Sequence, residues 1–234
     1  MTKYESRYGS ADPTLLSRWF YRFVWSLIWG AGKIMFRIEV HGRDNIPATG
    51  AFILAPGAHR SNIETFVVSL VTRRRMRFMG KDSLWKYAGP DWFVSSLGGF
   101  PINRDGADRE ALTQCLDLVA AGEPVVMFPE GTRRSGPTIE VDHMRDGVAY
   151  VANRGQTPIV PVGIGGSERV MPAKAKYLRP VKMVLVVGEP LAPPPLKESG
   201  RVSRSAVRAQ TEELRLRLQE LFDDAQRRAG TPNT

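Results

Sequence analysis

The chain has 234 residues, 42% of them hydrophobic, enough for a sizeable core in one large folded unit. Lys and Arg number 33 against 24 Asp and Glu, a net +9, which favours a polyanionic partner such as nucleic acid or an anionic membrane surface. A single cysteine, Cys115, excludes an intrachain disulfide and a cysteine-rich zinc site, and its helical surroundings mark it as a small buried residue instead of a nucleophile.

The opening stretch MTKYESRYGSADP is polar and no small-residue cleavage site follows it, so it does not read as a signal peptide. Residues 15–36, LLSRWFYRFVWSLIWGAGKIMF, are the most membrane-like part of the chain. Arg18, Arg22 and Lys33 interrupt them, and the uncharged run from Phe23 to Gly32 falls far short of the roughly 18 apolar residues a spanning helix needs. Trp19, Trp25 and Trp29 interleaved with cationic side chains predict an amphipathic helix lying in the membrane interface, the alternative being an amphipathic helix packed on the core.

Beyond it, strands and helices alternate in an α/β pattern. Strands are predicted at AFILA (51–55), RFMG (77–80), FPIN (100–103), PVVMF (124–128), TPIVPVGI (157–164) and VKMVLVVGEP (181–190). RSNIETFVVSLVTRR (60–74) reads as a helix with arginines in its last turn, where they complement the dipole. ADREALTQCLDLVAAG (107–122) and MRDGVAYVANRG (144–155) read as helices that end on glycine. After the proline cluster LAPPPL (191–196), Val207, Leu214, Leu218, Leu221 and Phe222 form one face of a C-terminal helix, and GTPNT (230–234) reads as a frayed tail. The expected organisation is an N-terminal membrane-associating segment (1–44), an α/β core (45–195) and a C-terminal helix with its tail (196–234).

His59 falls at the junction of the first of these strands and the following helix, in HRSNIE (59–64). Ser61 and Glu64 also have the S-x-x-E spacing of a capping box, and from this segment alone capping is the simpler role for both. FPEGTRRSG (128–136) follows a strand and sets backbone N–H groups and a guanidinium in a carboxyl-end loop, where α/β sheets bind anionic ligands. In GGFPINRDG (98–106), paired glycines allow close backbone approach and Arg104 leaves the end of another strand.

In this order the segments resemble the glycerolipid acyltransferase family that includes the 1-acylglycerol-3-phosphate acyltransferases, over about residues 45–190. HRSNIE matches the family's H-x-x-x-x-D motif with Glu64 where aspartate is usual, GGFPINR and FPEGTR match the second and third motifs, and IVPVGI matches the fourth around Pro161. Lys81, in MGKDSL, stands where the family often carries lysine. Two departures are Ala58, in place of a frequent asparagine, and Met144-Arg145, in place of a phenylalanine-lysine pair.

The resemblance implies a single α/β domain with a central mixed sheet flanked by helices. It implies transfer of a fatty acyl group from acyl-CoA or an acyl carrier protein thioester to a lysophospholipid, with 1-acyl-glycerol-3-phosphate giving phosphatidic acid in phospholipid biosynthesis. His59 would be the general base and Glu64 its orienting carboxylate, one methylene longer than the usual partner. Lys81, Arg104 and Arg133 would grip the acceptor phosphate beside Gly131 and Thr132, while Glu130 would orient an arginine or bond the glycerol. No metal or organic cofactor is expected, and the expected location is the cytoplasmic face of the cell membrane, peripheral or monotopic. Other readings are a different lysophospholipid or glycolipid acceptor, and an inactive membrane-surface lipid-binding protein that lost turnover through Glu64. Nucleic acid is not an expected partner, because the basic residues are dispersed and carry no recognition signature.

Overall fold

The computed structural model describes residues 14–81, 85, 90–102, 108–170, 177–196 and 203–233. Helix α1 (Leu15–Phe36) precedes strands β1 (Glu39–His41) and β2 (Ile53–Pro56). Then follow α2 (Glu64–Val67), β3 (Arg77–Lys81), α3 (Pro90–Ser96), β4 (Gly99–Ile102), α4 (Asp108–Ala120) and β5 (Val125–Val126). The order closes with α5 (Gly147–Gly155), β6 (Ile159–Gly165), α6 (Ser167–Val170), β7 (Val184–Val187) and α7 (Arg204–Ala229).

The strands form one mixed sheet in the order β1-β7-β6-β2-β5-β3-β4. Among the described strands only the β6–β7 pair is antiparallel. β2, β6 and β7 are buried at every position, as continuous apolar runs covered on both faces require. One face carries a core of Phe52, Leu54, Val67, Leu70 and Leu185, joined by Tyr21 and Trp25 of α1. The other carries Ile53, Cys115, Val148, Leu214 and Phe222 from the sheet and from α4, α5 and α7.

Helix α7 lies directly on β6. A Cβ at Gly163 would sit 2.3 Å from the Leu221 carbonyl, and one at Gly165 would sit 2.3 Å from that of Ala225, so both glycines admit helix backbone against strand backbone. Val207, Leu214, Leu218 and Phe222 of the predicted stripe are buried, while Leu221 is half-buried against Val184 and Val186 of β7. The tail is not frayed as far as Asn233. Thr231 N donates to Gln226 O at 2.9 Å and Asn233 Nδ2 to Asp223 Oδ1 at 2.7 Å, folding the tail back on α7.

Helix α1 runs over the residues its sequence predicts and has two apolar faces. Tyr21, Trp25 and Phe36 turn inward, and Trp25 Nε1 donates to Thr72 O at 2.9 Å. Leu16, Trp19, Phe23, Leu27 and Ile34 form an exposed stripe on the opposite side. Arg22 lies over the Trp19 ring at 5.9 Å. No helix among the described residues is long and apolar enough to cross a membrane.

Several expected elements differ in extent. The helix predicted at 60–74 is a single α turn, Glu64–Val67, continued by a 3-10 turn at Val68–Val71 and ended by extended Thr72. The arginines beyond it do not cap its dipole. Arg74 instead donates to Pro47 O at 2.8 Å and Gly50 O at 2.6 Å, tying down the loop before β2. Helix α5 is capped by left-handed Gln156 (φ 47°) instead of by glycine, and Gly155 is small because a Cβ there would meet Val119 at 2.9 Å. Strand β1 and helices α3 and α6 carried no sequence signal, being three, seven and four residues long.

Candidate active site

The loops after β2, β5 and β6 leave the same, carboxyl end of the sheet and converge on His59. The chain turns sharply there through Ala58, which is fully buried and left-handed at φ 55°. That conformation costs a residue with a Cβ about 1–2 kcal/mol, and asparagine, frequent here in the family it resembles, tolerates it better. The turn folds the imidazole back over the start of α2, so His59 and Glu64 meet although five positions apart.

His59 Nδ1 lies 2.6 Å from Glu64 Oε2. Glu64 is fully buried and has four donors: His59 Nδ1, Arg60 N at 3.0 Å, Ser61 N at 3.1 Å and the Ser167 hydroxyl. These replace the water a buried carboxylate loses. One arm of the expected capping box is seen in the bond from Ser61 N to Glu64. The N-cap position itself falls on Ile63, which supplies no side-chain cap.

FPEGTR wraps the other side of His59. The Phe128 ring packs on the imidazole, centroids 4.4 Å apart. Glu130 is 1% exposed, and its Oε2 accepts from His59 N at 2.7 Å while Oε1 pairs with Arg60 at 3.3 Å. Arg134 N donates to His59 O at 2.8 Å. Both oxygens of Glu130 therefore face protein donors. Gly131 (φ 65°), Thr132 and Arg133 lie exposed in the turn that follows, and a Cβ at Gly131 would press on Arg145 Nε at 2.9 Å.

With Nδ1–H donated to Glu64, the imidazole presents Nε2 as an acceptor. The His59 side chain is 14% exposed, enough for a substrate atom to reach it. Lys81 ends β3, but its side chain lies outside the described residues, as does Arg104 entirely. The residues brought together are thus His59, Glu64, Glu130 and the FPEGTR turn. Arg60, Arg134 and Ser167 carried no sequence assignment. Ser167 follows the glycines that end β6, and nothing in its local sequence distinguishes it from any other turn hydroxyl.

Beside α2 lies an apolar slot of about 360 Å³. Tyr21, Val24 and Ile28 of α1, Phe66 of α2 and Phe93 and Leu97 around α3 line it. Phe66 is two residues from Glu64, and Phe20 of α1 contacts Trp92 and Phe93 at ring-centroid distances of 4.9 and 5.5 Å.

The chain is 27% identical over 186 residues to the 1-acyl-sn-glycerol-3-phosphate acyltransferase of Bacillus subtilis, covering 79% of this chain and 87% of that protein. It is 29% identical over 179 residues to a 1-acyl-sn-glycerol-3-phosphate acyltransferase of Chlamydomonas reinhardtii, covering 74% of this chain and 52% of that one. It thus spans about half the length of the algal relative. The crystal structure of the 1-acyl-sn-glycerophosphate (LPA) acyltransferase PlsC of Thermotoga maritima superposes with a TM-score of 0.64 at 23% identity, over 88% of this chain and 77% of that one, and shows the same fold. The acyltransferase family model matches residues 37–165, more than half of the chain and from before β1 to the end of β6, and the chain belongs to that family.

Proposed function

We propose that the protein transfers a fatty acyl group from a thioester donor, acyl-CoA or acyl carrier protein, to the free hydroxyl of 1-acyl-glycerol-3-phosphate, giving phosphatidic acid for phospholipid biosynthesis. The observation that carries this reading is the 2.6 Å contact between His59 Nδ1 and buried Glu64, which leaves Nε2 as the base. The contact supports turnover over an inert lipid-binding role, because the longer carboxylate reaches the histidine. Names and extents of the relatives support the acceptor.

In the reaction, Nε2 accepts the hydroxyl proton as the oxygen attacks the thioester carbonyl. The new C–O bond forms, the C–S bond breaks, and the imidazolium returns the proton to the departing thiolate. Glu64 holds the ring and stabilises its transient charge, and Glu130 fixes the His59 backbone and orients Arg60. Arg133 meets the acceptor phosphate together with Lys81 and Arg104, and Gly131 and Thr132 shape that loop. No step runs through a metal or organic cofactor. The acyl chain occupies the slot beside α2, whose volume suits a lipid tail.

The exposed stripe of α1 lies in an anionic membrane surface, and cationic Arg18, Arg22 and Lys33 reach the headgroups. The protein then sits peripherally on the cytoplasmic face of the cell membrane, where it meets both lipid and carrier. Trp25 is buried, so Trp19 and Phe23 are the residues to change. Trp19→Glu with Phe23→Glu is expected to reduce flotation with anionic vesicles at unchanged circular dichroism. Unchanged flotation contradicts this placement.

The activity test offers purified protein an acyl-CoA and, separately, an acyl carrier protein thioester, with lysophosphatidic acid, other lysophospholipids and a glycolipid as acceptors. Mass spectrometry is expected to show phosphatidic acid as the main product. A different main product reassigns the acceptor, and no product with either donor contradicts the proposal.

A further inference from the structure

A second cavity, of about 610 Å³, opens beside His59 and shares no lining residue with the apolar slot. Its walls are Arg60 after β2, the turn after β5 from Arg134 to Pro137, Glu168 and Arg169 after β6, and the end of α7. It adjoins the active site, because Arg60 follows His59 in the chain and Arg134 N bonds His59 O at 2.8 Å. From there it runs along α7 from Phe222, over which Arg60 stacks at 5.4 Å, to Thr231 and Asn233.

The walls of this groove mix apolar and polar groups and hold unused hydrogen-bonding capacity. Arg60 is taken up by Glu130 and by the carbonyls of Gly136 and Thr138. Arg134 Nε is buried without a partner, and so is Glu168 Oε2, while Glu168 Oε1 accepts from Gln226 at 3.0 Å. Such buried groups each cost about 1–3 kcal/mol when unpaired, and a ligand that satisfies both must supply an acceptor and a donor. An amide does so. Arg169 lies exposed farther along the groove and adds a positive charge.

We infer that this groove receives the phosphopantetheine arm of the thioester donor. The arm joins the acyl-bearing sulfur to a phosphate through two amides and is common to coenzyme A and acyl carrier protein. Its amides meet Arg134 and Glu168, and its phosphate meets Arg169. The phosphorylated acceptor also offers a hydroxyl donor and phosphate acceptors, but its phosphate is placed at Arg133 in the reaction above, and the acceptor KM tests that division. The acyl chain then runs one way from His59 into the apolar slot and the carrier arm runs the other way into the groove, with the thioester carbonyl between them. This assignment rests on the reading of the protein as a thioester-dependent acyltransferase.

The test compares KM for acyl-CoA, for the corresponding acyl-pantetheine, which lacks the phosphate, and for the acceptor. Arg169→Glu is expected to raise KM for acyl-CoA about tenfold or more, as loss of a charge-assisted contact does, and to leave the other two within about twofold. Arg134→Ala is expected to raise KM for both thioesters and not for the acceptor. A rise in the acceptor KM alone assigns the groove to the acceptor and overturns the inference, and so do two variants indistinguishable from wild type. Calorimetric titration with coenzyme A needs no turnover. Binding that Arg169→Glu weakens, in a protein with no transferase activity, would support the groove and overturn the proposed function; turnover of acyl-CoA unaffected by either variant would do the reverse.

Discussion

Glu64 and Glu130 are both buried glutamates against His59, and they hold different parts of it. Glu64, from the turn after β2, meets the ring nitrogen Nδ1, while Glu130, from the turn after β5, meets the backbone N–H and neutralises Arg60. The ring contact decides which nitrogen carries the proton; the backbone contact decides where the ring stands. Burial is nearly the same for the two, so burial does not distinguish a chemical role from a structural one. The atom each carboxylate touches does.

The largest expected effect lies at the residue the two share. His59→Ala removes the base and is expected to lower kcat by about 100 to 10,000-fold in a protein that still folds, as steady-state rates and circular dichroism together would show. A folded variant with near-wild-type turnover breaks the comparison at its centre.

Glu130→Gln is expected to act on stability more than on rate. The amide oxygen still accepts from His59 N, but Arg60, whose side chain is 4% exposed, loses its ionic partner. A hydrogen bond to a charged group contributes about 1.5–3 kcal/mol, and a domain of this size loses about 2–4 °C of Tm per kcal/mol, so calorimetry should show a fall of roughly 3–12 °C. The rate per folded molecule should stay within about fivefold. A larger loss of rate with unchanged Tm would give Glu130 a part in the chemistry.

The smallest effect is expected at Cys115, which stands apart from both glutamates. Its side chain is fully buried, and burial pushes the thiol pKa up to about 12. The thiolate is the reactive form and becomes populated only as pH approaches that value, so iodoacetamide at pH 8 should leave the folded protein unmodified and active. Inactivation with one equivalent incorporated would point to a thiol in the chemistry.

The sequence made the frame of the site legible and left its finer contacts hidden. Six strands were predicted because apolar runs bounded by turn residues survive in any sheet order, and α1 and α7 because their apolar periodicity is long. The pairing of β6 with β7 and the three-residue β1 were not legible, since sheet order depends on distant segments. The His59 and Glu64 positions came from spacing within one segment. The Ser167 hydroxyl reaches Glu64 across 103 positions of chain, and neither partner's local sequence announces it. The division of α1 into a buried and an exposed aromatic set was likewise invisible, because both faces are apolar and only packing separates Trp25 from Trp19.

The most direct measurement sets Glu64→Gln beside Glu130→Gln, with kcat and Tm recorded for each. In Glu64→Gln the side-chain oxygen is held by Arg60 N and Ser61 N, so the amide NH₂ turns to His59 and donates to Nδ1. The ring proton then moves to Nε2, the nitrogen that must act as base, and the rate is expected to fall by at least about a hundredfold while Tm changes by only a few degrees. Glu130→Gln is expected to show the opposite balance. Full turnover in folded Glu64→Gln would leave that carboxylate as a helix cap alone and contradict the pairing of His59 with Glu64 on which the mechanism stands.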